Sequence, residues 1–252
     1  MPQAAFRFYA ELRDFLRPDH RNGRVTYTFE RAPSVKHAIE TLGVPHTEVD
    51  LILVNGEAAD FSRLIEDGDR VSVYPVFESI DIGQVTRVRP KPLRELRFVL
   101  DCHLGRLAKY LRIMGFDTLY ANRSDDEELA GTSSREKRVL LTMDRGLLKR
   151  SMVERGYLVR EALPRRQLIE VLRRFDLFGQ VRPFERCLRC NARLEPVAKE
   201  DVLEMIPPRT RERCDQYRWC AACRKLYWKG SHYDRMWRLV EEVRRAPIRQ
   251  EK

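Results

Sequence analysis

Four cysteines in two pairs carry the most specific chemistry in this 252-residue chain. Cys187-Leu-Arg-Cys190 and Cys220-Ala-Ala-Cys223 are two C-x2-C knuckles separated by 29 residues. Each tight turn offers two thiolates, and two turns complete the tetrahedron that zinc takes in closed, structural sites. The start of the chain, MPQAAFRFYAELRDFL, places acids where a signal peptide needs an apolar core. Six cysteines in that context point to a reducing, cytoplasmic setting and to metal rather than disulfides. Cys102, between Asp101 and His103, reads as a small core residue. Cys214 has no partner knuckle, and swapping into the zinc shell is its secondary reading.

A second constellation is acidic. RFVLD (97–101) and RVLLTMD (138–144) are apolar runs that end in aspartate, as buried parallel strands do at the carboxyl edge of a sheet. In NRSDDEEL, Ser124 or Asp125 caps a helix and places Asp126 in its first turn. Three carboxylates on one edge (Asp101, Asp126 and Asp144) repel one another unless a divalent cation neutralises them, and hard oxygen ligands favour magnesium or manganese. Such a metal would lower the pKa of a bound water and polarise a phosphodiester. Arg106, Lys109 and Arg145 lie close by in sequence and could offset phosphate charge. The plainer alternative is that each aspartate caps the helix that follows it. His103, at a helix start, has the same two readings: structural, or in touch with a substrate phosphate or a metal-bound water.

The elements that must position these groups alternate. RFVLD is followed by a helix, HLGRLAKYLRIMG, with Leu104, Leu107, Ala108 and Leu111 on one face and Arg106, Lys109 and Arg112 near the other. DTLYA is a short strand, and GLLKRSMVERG a helix after the second apolar run. Alternating strand and helix implies a parallel sheet with helices on its faces, and sites form beyond the carboxyl ends of such strands. The first eighty residues differ. AAFRFYAEL and RVTYTFE have period two and are joined by PDHRNG; a helix starts at Ser34, VDLILVNGE enters an Asn-Gly turn, and LIEDGDRVSVYPVFE gives a last strand. LVNGE and DGDRVSVYPVFE resemble a ubiquitin-like β-grasp domain of the sulfur-carrier type. Because the strand runs on through Glu78, Ser79 and Ile80 without a terminal Gly-Gly, docking or scaffolding is the reading for this domain, with sulfur transfer ranked last.

Four segments result: a β-grasp domain over 1–80, a linker over 81–96 with Gly83, Pro90 and Pro92, an α/β domain over 97–180, and a ribbon with a C-terminal helix over 181–252. A second break is expected near 178–183, and an amphipathic helix after Trp237 that frays past Pro247. The charge is uneven. Lys and Arg number 48 against 38 Asp and Glu, yet residues 1–80 carry a net −4 and the rest +14. The ribbon alone carries +7, interleaved with Tyr217, Trp219, Tyr227, Trp228 and Tyr233. Cations pair with phosphates and rings stack on bases, so this composition suits single-stranded nucleic acid, whereas a merely solvated basic face is the alternative. Lys225, Lys229, Arg235 and Arg238 are the candidate phosphate contacts; Trp219 and Tyr227 read as ribbon core, and His232 as packing or touching RNA rather than binding zinc. No apolar run reaches the 18 or so residues of a membrane span.

The ordered motifs FVLDCHLGRLAKYLRIMGFDTLYA, SDDEEL, RVLLTMDRGLLKR and QLIEVLRRF resemble the Mut-seven C-terminal RNase family of the PIN-like nuclease group, over residues 97–235. An N-terminal ubiquitin-like domain is a known companion in that family. The resemblance implies a PIN-like α/β/α domain with a parallel sheet, preceded by a β-grasp domain and followed by a zinc ribbon. It also implies metal-dependent hydrolysis of RNA, with Asp101, Asp126 and Asp144 as catalytic, metal-binding carboxylates. The chain has Thr142-Met143-Asp144 where the family usually has Thr-Arg-Asp, and Glu161 is the nearest match to a fourth acid. These departures keep a second expectation open, a non-catalytic adaptor that positions RNA for another nuclease or a ribosome-linked partner.

Overall fold

The computed structural model describes residues 1–75, 86–88 and 96–246. Most of the expected linker, the run-on through 78–80 and the fraying past Pro247 lie outside the described residues. The chain divides into two compact units, Met1–Glu95 with Asp125–Leu158 and Leu96–Ser124 with Val159–Lys252.

The first unit opens with β1 (Gln3–Phe8) and β2 (Arg24–Thr28), paired antiparallel. Alternation along β1 sends Phe6 and Phe8 inward. The expected strand through Leu12 stops at Phe8, however, because Ala10–Phe15 winds into a 3-10 helix. A spacing of three turns Leu12 and Phe15 into the same core, which continued alternation would not do. Helix α1 (Val35–Thr41) is capped as expected: the Ser34 hydroxyl accepts from the His37 N–H at 3.2 Å. It buries Val35, Ala38 and Ile39. Strand β3 (Val49–Val54) turns through Asn55 and Gly56, both at positive φ, into the short β4 (Glu57–Ala58). With β5 (Arg70–Pro75) the sheet order is β2-β1-β5-β3-β4, in which β1 and β5 run parallel. This is the β-grasp arrangement. The Thr86 hydroxyl donates to the Asp50 carbonyl of β3.

The same unit holds part of the α/β segment. Helix α3 (Asp126–Glu136) leads to β8 (Val139–Thr142), a one-turn helix α4 (Arg145–Leu148) and β9 (Gly156–Leu158), which pairs with β8 in parallel. The helix expected through residue 156 therefore ends after one turn: Val153 is fully buried at a turn that feeds β9, a strand hidden by the lone glycine before Tyr157. Several bonds tie this stretch to the β-grasp domain. The buried His46 ring bonds Glu40 at 2.7 Å and the Val153 carbonyl at 2.8 Å. Glu48 accepts from the Leu158 N–H at 2.7 Å, and Lys149 donates to the Glu40 carbonyl at 2.8 Å.

In the second unit, β6 (Phe98–Leu100) and β7 (Thr118–Tyr120) pair in parallel around helix α2 (Gly105–Ile113). Leu107, Ala108 and Leu111 of α2 are buried, as are Leu168, Val171 and Leu172 of α5 (Pro164–Arg174), which packs on it. Each large apolar side chain so removed from water contributes about 1.5–3 kcal/mol. Arg112, expected near the polar face of α2, is instead 6% exposed. The segment after α5 returns to α2, where the Arg182 and Phe184 N–H groups donate to the Met114 and Ile113 carbonyls, both at 2.9 Å. The ribbon follows as β10 (Glu195–Val197), the one-turn α6 (Pro208–Arg211), β11 (Tyr217–Cys220) and β12 (Lys225–Trp228), in one antiparallel sheet. Helix α7 (Ser231–Arg245) begins six residues before Trp237, so the C-terminal helix is longer than expected, and it buries Leu239, Val240 and Val243. No helix among the described residues is long and apolar enough to cross a membrane.

Gly115 makes the return to α2 possible. It ends the helix at φ 97°, and a Cβ there would lie 2.1 Å from the Arg182 carbonyl oxygen. Gly115→Ala combines left-handed strain with a clash against backbone, so denaturant unfolding of the full chain should show a loss of at least about 2 kcal/mol.

Candidate functional site

The two knuckles meet as their spacing requires. Among the described residues, Cys187, Cys190, Cys220 and Cys223 form the group of metal-capable side chains, with all ligand atoms within 4.8 Å of one another. Cys187 and Cys223 sulfurs are 3.5 Å apart and those of Cys190 and Cys220 3.4 Å. Zn–S bonds of about 2.3 Å at tetrahedral angles would set sulfurs about 3.8 Å apart, so the cage fits a zinc-sized ion after a small expansion. Burial disfavours the Cys187 thiolate, but hydrogen bonds from the Tyr227 hydroxyl and from the Cys190 and Arg189 N–H groups bring its pKa down to about 6. Cys223 is pushed up to about 12, by burial and then by the neighbouring Cys187, Cys220 and Cys190. The opposed shifts record thiols competing for negative charge at close quarters, a competition that a dication removes.

A set of buried polar groups fixes the first knuckle to α2 and β7. The Arg112 guanidinium donates to the Leu188 and Arg189 carbonyls within the knuckle at 3.2 and 3.1 Å, and to the Thr118 carbonyl at 3.0 Å. Burial depresses the Arg112 pKa, against the pull of Cys187, Cys190 and Asp117. Asn191, directly after the knuckle and at φ 70°, accepts from the Thr118 N–H at 2.9 Å and donates to Asp117 at 2.8 Å. Arg186 pairs with the same aspartate at 3.3 Å. The sequence reading missed Arg112, Asp117 and Asn191. The asparagine following C-x2-C was the available signal, since it tolerates the left-handed conformation that closes such a turn.

The acidic residues divide between the units. Asp101, 4% exposed at the end of β6, belongs to the second; Asp126 and Asp144 belong to the first. The capping alternative is realised at both strand ends: an Asp101 oxygen accepts from the His103 N–H at 2.8 Å, and an Asp144 oxygen from the Gly146 N–H at 2.7 Å. A cap bond engages one oxygen of each carboxylate, so it orients a ligand as readily as it satisfies a helix end. Asp126 lies in the first turn of α3, which Asp125 caps, and 3.4 Å from Arg150. Gly105 leaves room for the Tyr120 hydroxyl, which a Cβ would approach to 2.5 Å and which donates to the Cys102 carbonyl at 3.0 Å.

Of the predicted substrate cations, Arg106, Lys109, Lys225 and Lys229 line a single groove of about 1060 Å³ in the second unit. Arg235 lines it too; Arg238 does not. Arg145 is elsewhere, donating to the Asp14 carbonyl at 3.4 Å with its guanidinium 5.2 Å from the Phe15 ring centre. Cys102 is exposed rather than a core residue, because the strand ends at Leu100 and the chain turns outward into a 3-10 helix. Cys214 is not in the metal cage; it packs with Val202, Ile206, Tyr217 and Leu226 and bonds the Lys229 carbonyl. His103 and His232 are exposed, and His232 accepts from Arg235 at 2.9 Å. Trp219 and Tyr227 pack on the ribbon core as expected.

Two outcomes check this centre. Metal analysis should find one zinc per chain, abolished by Cys190→Ser. Arg112→Met leaves three carbonyls without their charged donor and should cost about 3 kcal/mol in denaturant unfolding, with faster loss of zinc to a chelator.

Comparison with protein families matches residues 96–240 to the Mut7-C RNAse domain and residues 1–81 to Mut7-C ubiquitin. Comparison with curated proteins and with solved structures finds no significant match. The RNase match takes in both strand-end aspartates and all four cage cysteines, and the other covers the β-grasp sheet. The chain belongs to the Mut7-C RNAse domain family and carries that family's ubiquitin-like domain at its front.

Proposed function

We propose that this protein is a metal-dependent ribonuclease of the cytoplasm, in which Asp101, Asp126 and Asp144 hold magnesium or manganese and the cysteine cage holds zinc in a structural role. One observation carries the reading: within the RNase-family segment, Asp101 and Asp144 each follow a parallel strand with one carboxylate oxygen fixed by a backbone N–H. The donor chemistry suits a hard dication, since every candidate ligand is a carboxylate oxygen. When bound, such a cation supplies Lewis-acid charge and a more acidic water.

The residues of the chain do the rest. The capped carboxylates keep their geometry without reorganising during the reaction. Arg106 and Lys109, on the helix after Asp101, neutralise phosphate charge. The oxygen of water bonds to phosphorus, a phosphorus–oxygen bond to ribose breaks, and the leaving oxygen takes up the proton that the water gives up. Glu161, whose N–H donates to Glu170 at 3.0 Å, is the candidate fourth acid.

The second reading, an RNA-binding adaptor, is favoured by the Arg150–Asp126 ion pair, which supplies Asp126 with a cation from the chain itself. Incubation of a labelled structured RNA with manganese, magnesium or EDTA separates the two. The nuclease reading predicts metal-dependent cutting that falls about 100-fold or more in Asp144→Asn with zinc retained. Tight binding without cutting in any metal establishes the adaptor instead.

A further inference from the structure

The groove in the second unit has a composition that neither the cysteine cage nor the acidic residues require. Eight cations line it, including Arg165, Arg209 and Arg213 beside those named above, and among the described residues no aspartate or glutamate does. Arg165 pairs with Glu242 at 2.7 Å; the other seven make no ion pair with a carboxylate among the described residues. Seven uncompensated charges around one concavity repel one another and favour a polyanion as occupant.

The rings in the groove narrow the choice of polyanion. Tyr110, Trp228 and Tyr233 line it, and Trp228 is 36% exposed, an unusual position for an indole that could be core. Lys225 and Lys229 hold their ammonium groups 5.5 and 5.8 Å from the Tyr227 and Tyr233 ring centres, which keeps charge and ring face side by side. Phosphates alone would need only the cations. The exposed Trp228 face suits a partner with open ring faces, while Tyr233 already packs on Phe184 and Trp237, and the bases of a duplex are stacked on one another. The lining also lacks Asn, Gln, Asp and Glu, the side chains that pair with adenine and cytosine edges.

We infer that this groove is a track for single-stranded RNA, sequence-tolerant, in which the cations hold phosphates and Trp228 stacks on a base. The inference rests on the ribonuclease reading for its substrate and extends it: strand separation, not sequence, decides which RNA is accepted. The track includes Arg106 on the first turn of α2, the helix that follows Asp101, so it delivers the strand toward that end of the unit.

The test is fluorescence anisotropy of the zinc-loaded full chain without added magnesium or manganese, so that binding is read apart from cutting. The probes are an unstructured 12-nucleotide RNA, a second of scrambled sequence, and a duplex of equal length. The single strands should bind alike and at least about tenfold more tightly than the duplex. Trp228→Ala should weaken single-strand binding about tenfold, with rescue by Trp228→Phe. Lys225→Ala with Lys229→Ala should flatten the dependence of log K on log salt by about 1.4, the loss of two phosphate contacts on a single strand. Arg238→Ala, outside the groove, should change neither. Binding with this pattern, together with no cleavage when manganese or magnesium is supplied, keeps the track and removes the nuclease. Equal affinity for duplex, or indifference to Trp228→Ala and to the lysine pair, overturns the track even if the protein cuts RNA.

Discussion

The buried guanidinium of Arg112 is the contact on which the second unit depends. It reaches from the middle of α2 to the Thr118 carbonyl of β7 and to two carbonyls of the first cysteine knuckle. A cation this deep is tolerable because three backbone carbonyls accept its hydrogen bonds, with Cys187, Cys190 and Asp117 adding favourable charge. The consequence is mechanical. Helix α2 supplies part of the lining of the basic groove and the ribbon another part, and the Arg112 bonds join these two elements. A metal held by the four sulfurs and the Arg112 guanidinium would act on the same turn, one through the side chains and the other through the backbone.

The cysteine spacing, the strand-end aspartates and the Ser34 cap were legible in the sequence because each depends on a local rule: a turn geometry, a strand terminus, a helix N-terminus. Features that depend on distant partners were not. Arg112 follows the threefold spacing of Arg106 and Lys109 and looks like a third surface cation; only the arrival of the knuckle, seventy-odd residues later in the sequence, turns it inward. The helix read through Gly156 overruns its single real turn because Leu147, Leu148, Met152 and Val153 imitate helical spacing, and the strand Gly156–Leu158 goes unread because its parallel pairing with β8 is a non-local contact. Cys102 was misread for a similar reason: burial of a strand was extended two residues past its end.

The β-grasp domain is bonded to the α/β segment of its own unit at several points, through His46, Glu48, Lys149 and Arg145. The residue immediately after Asp144 thus spends its charge on the Asp14 carbonyl and the Phe15 ring. Arg145 thereby joins the turn that carries Asp144 to the acidic β-grasp domain of the same unit. The chain's catalytic expectations then fall on few residues, and the metal preference of those residues becomes the decisive property.

Manganese titration of the zinc-loaded full chain, followed by electron paramagnetic resonance, reads that property directly. The account predicts saturable manganese binding in addition to the zinc, lost in Asp101→Asn while the zinc content stays at one per chain. Manganese that fails to saturate, or that binds Asp101→Asn as well as the parent, would contradict it.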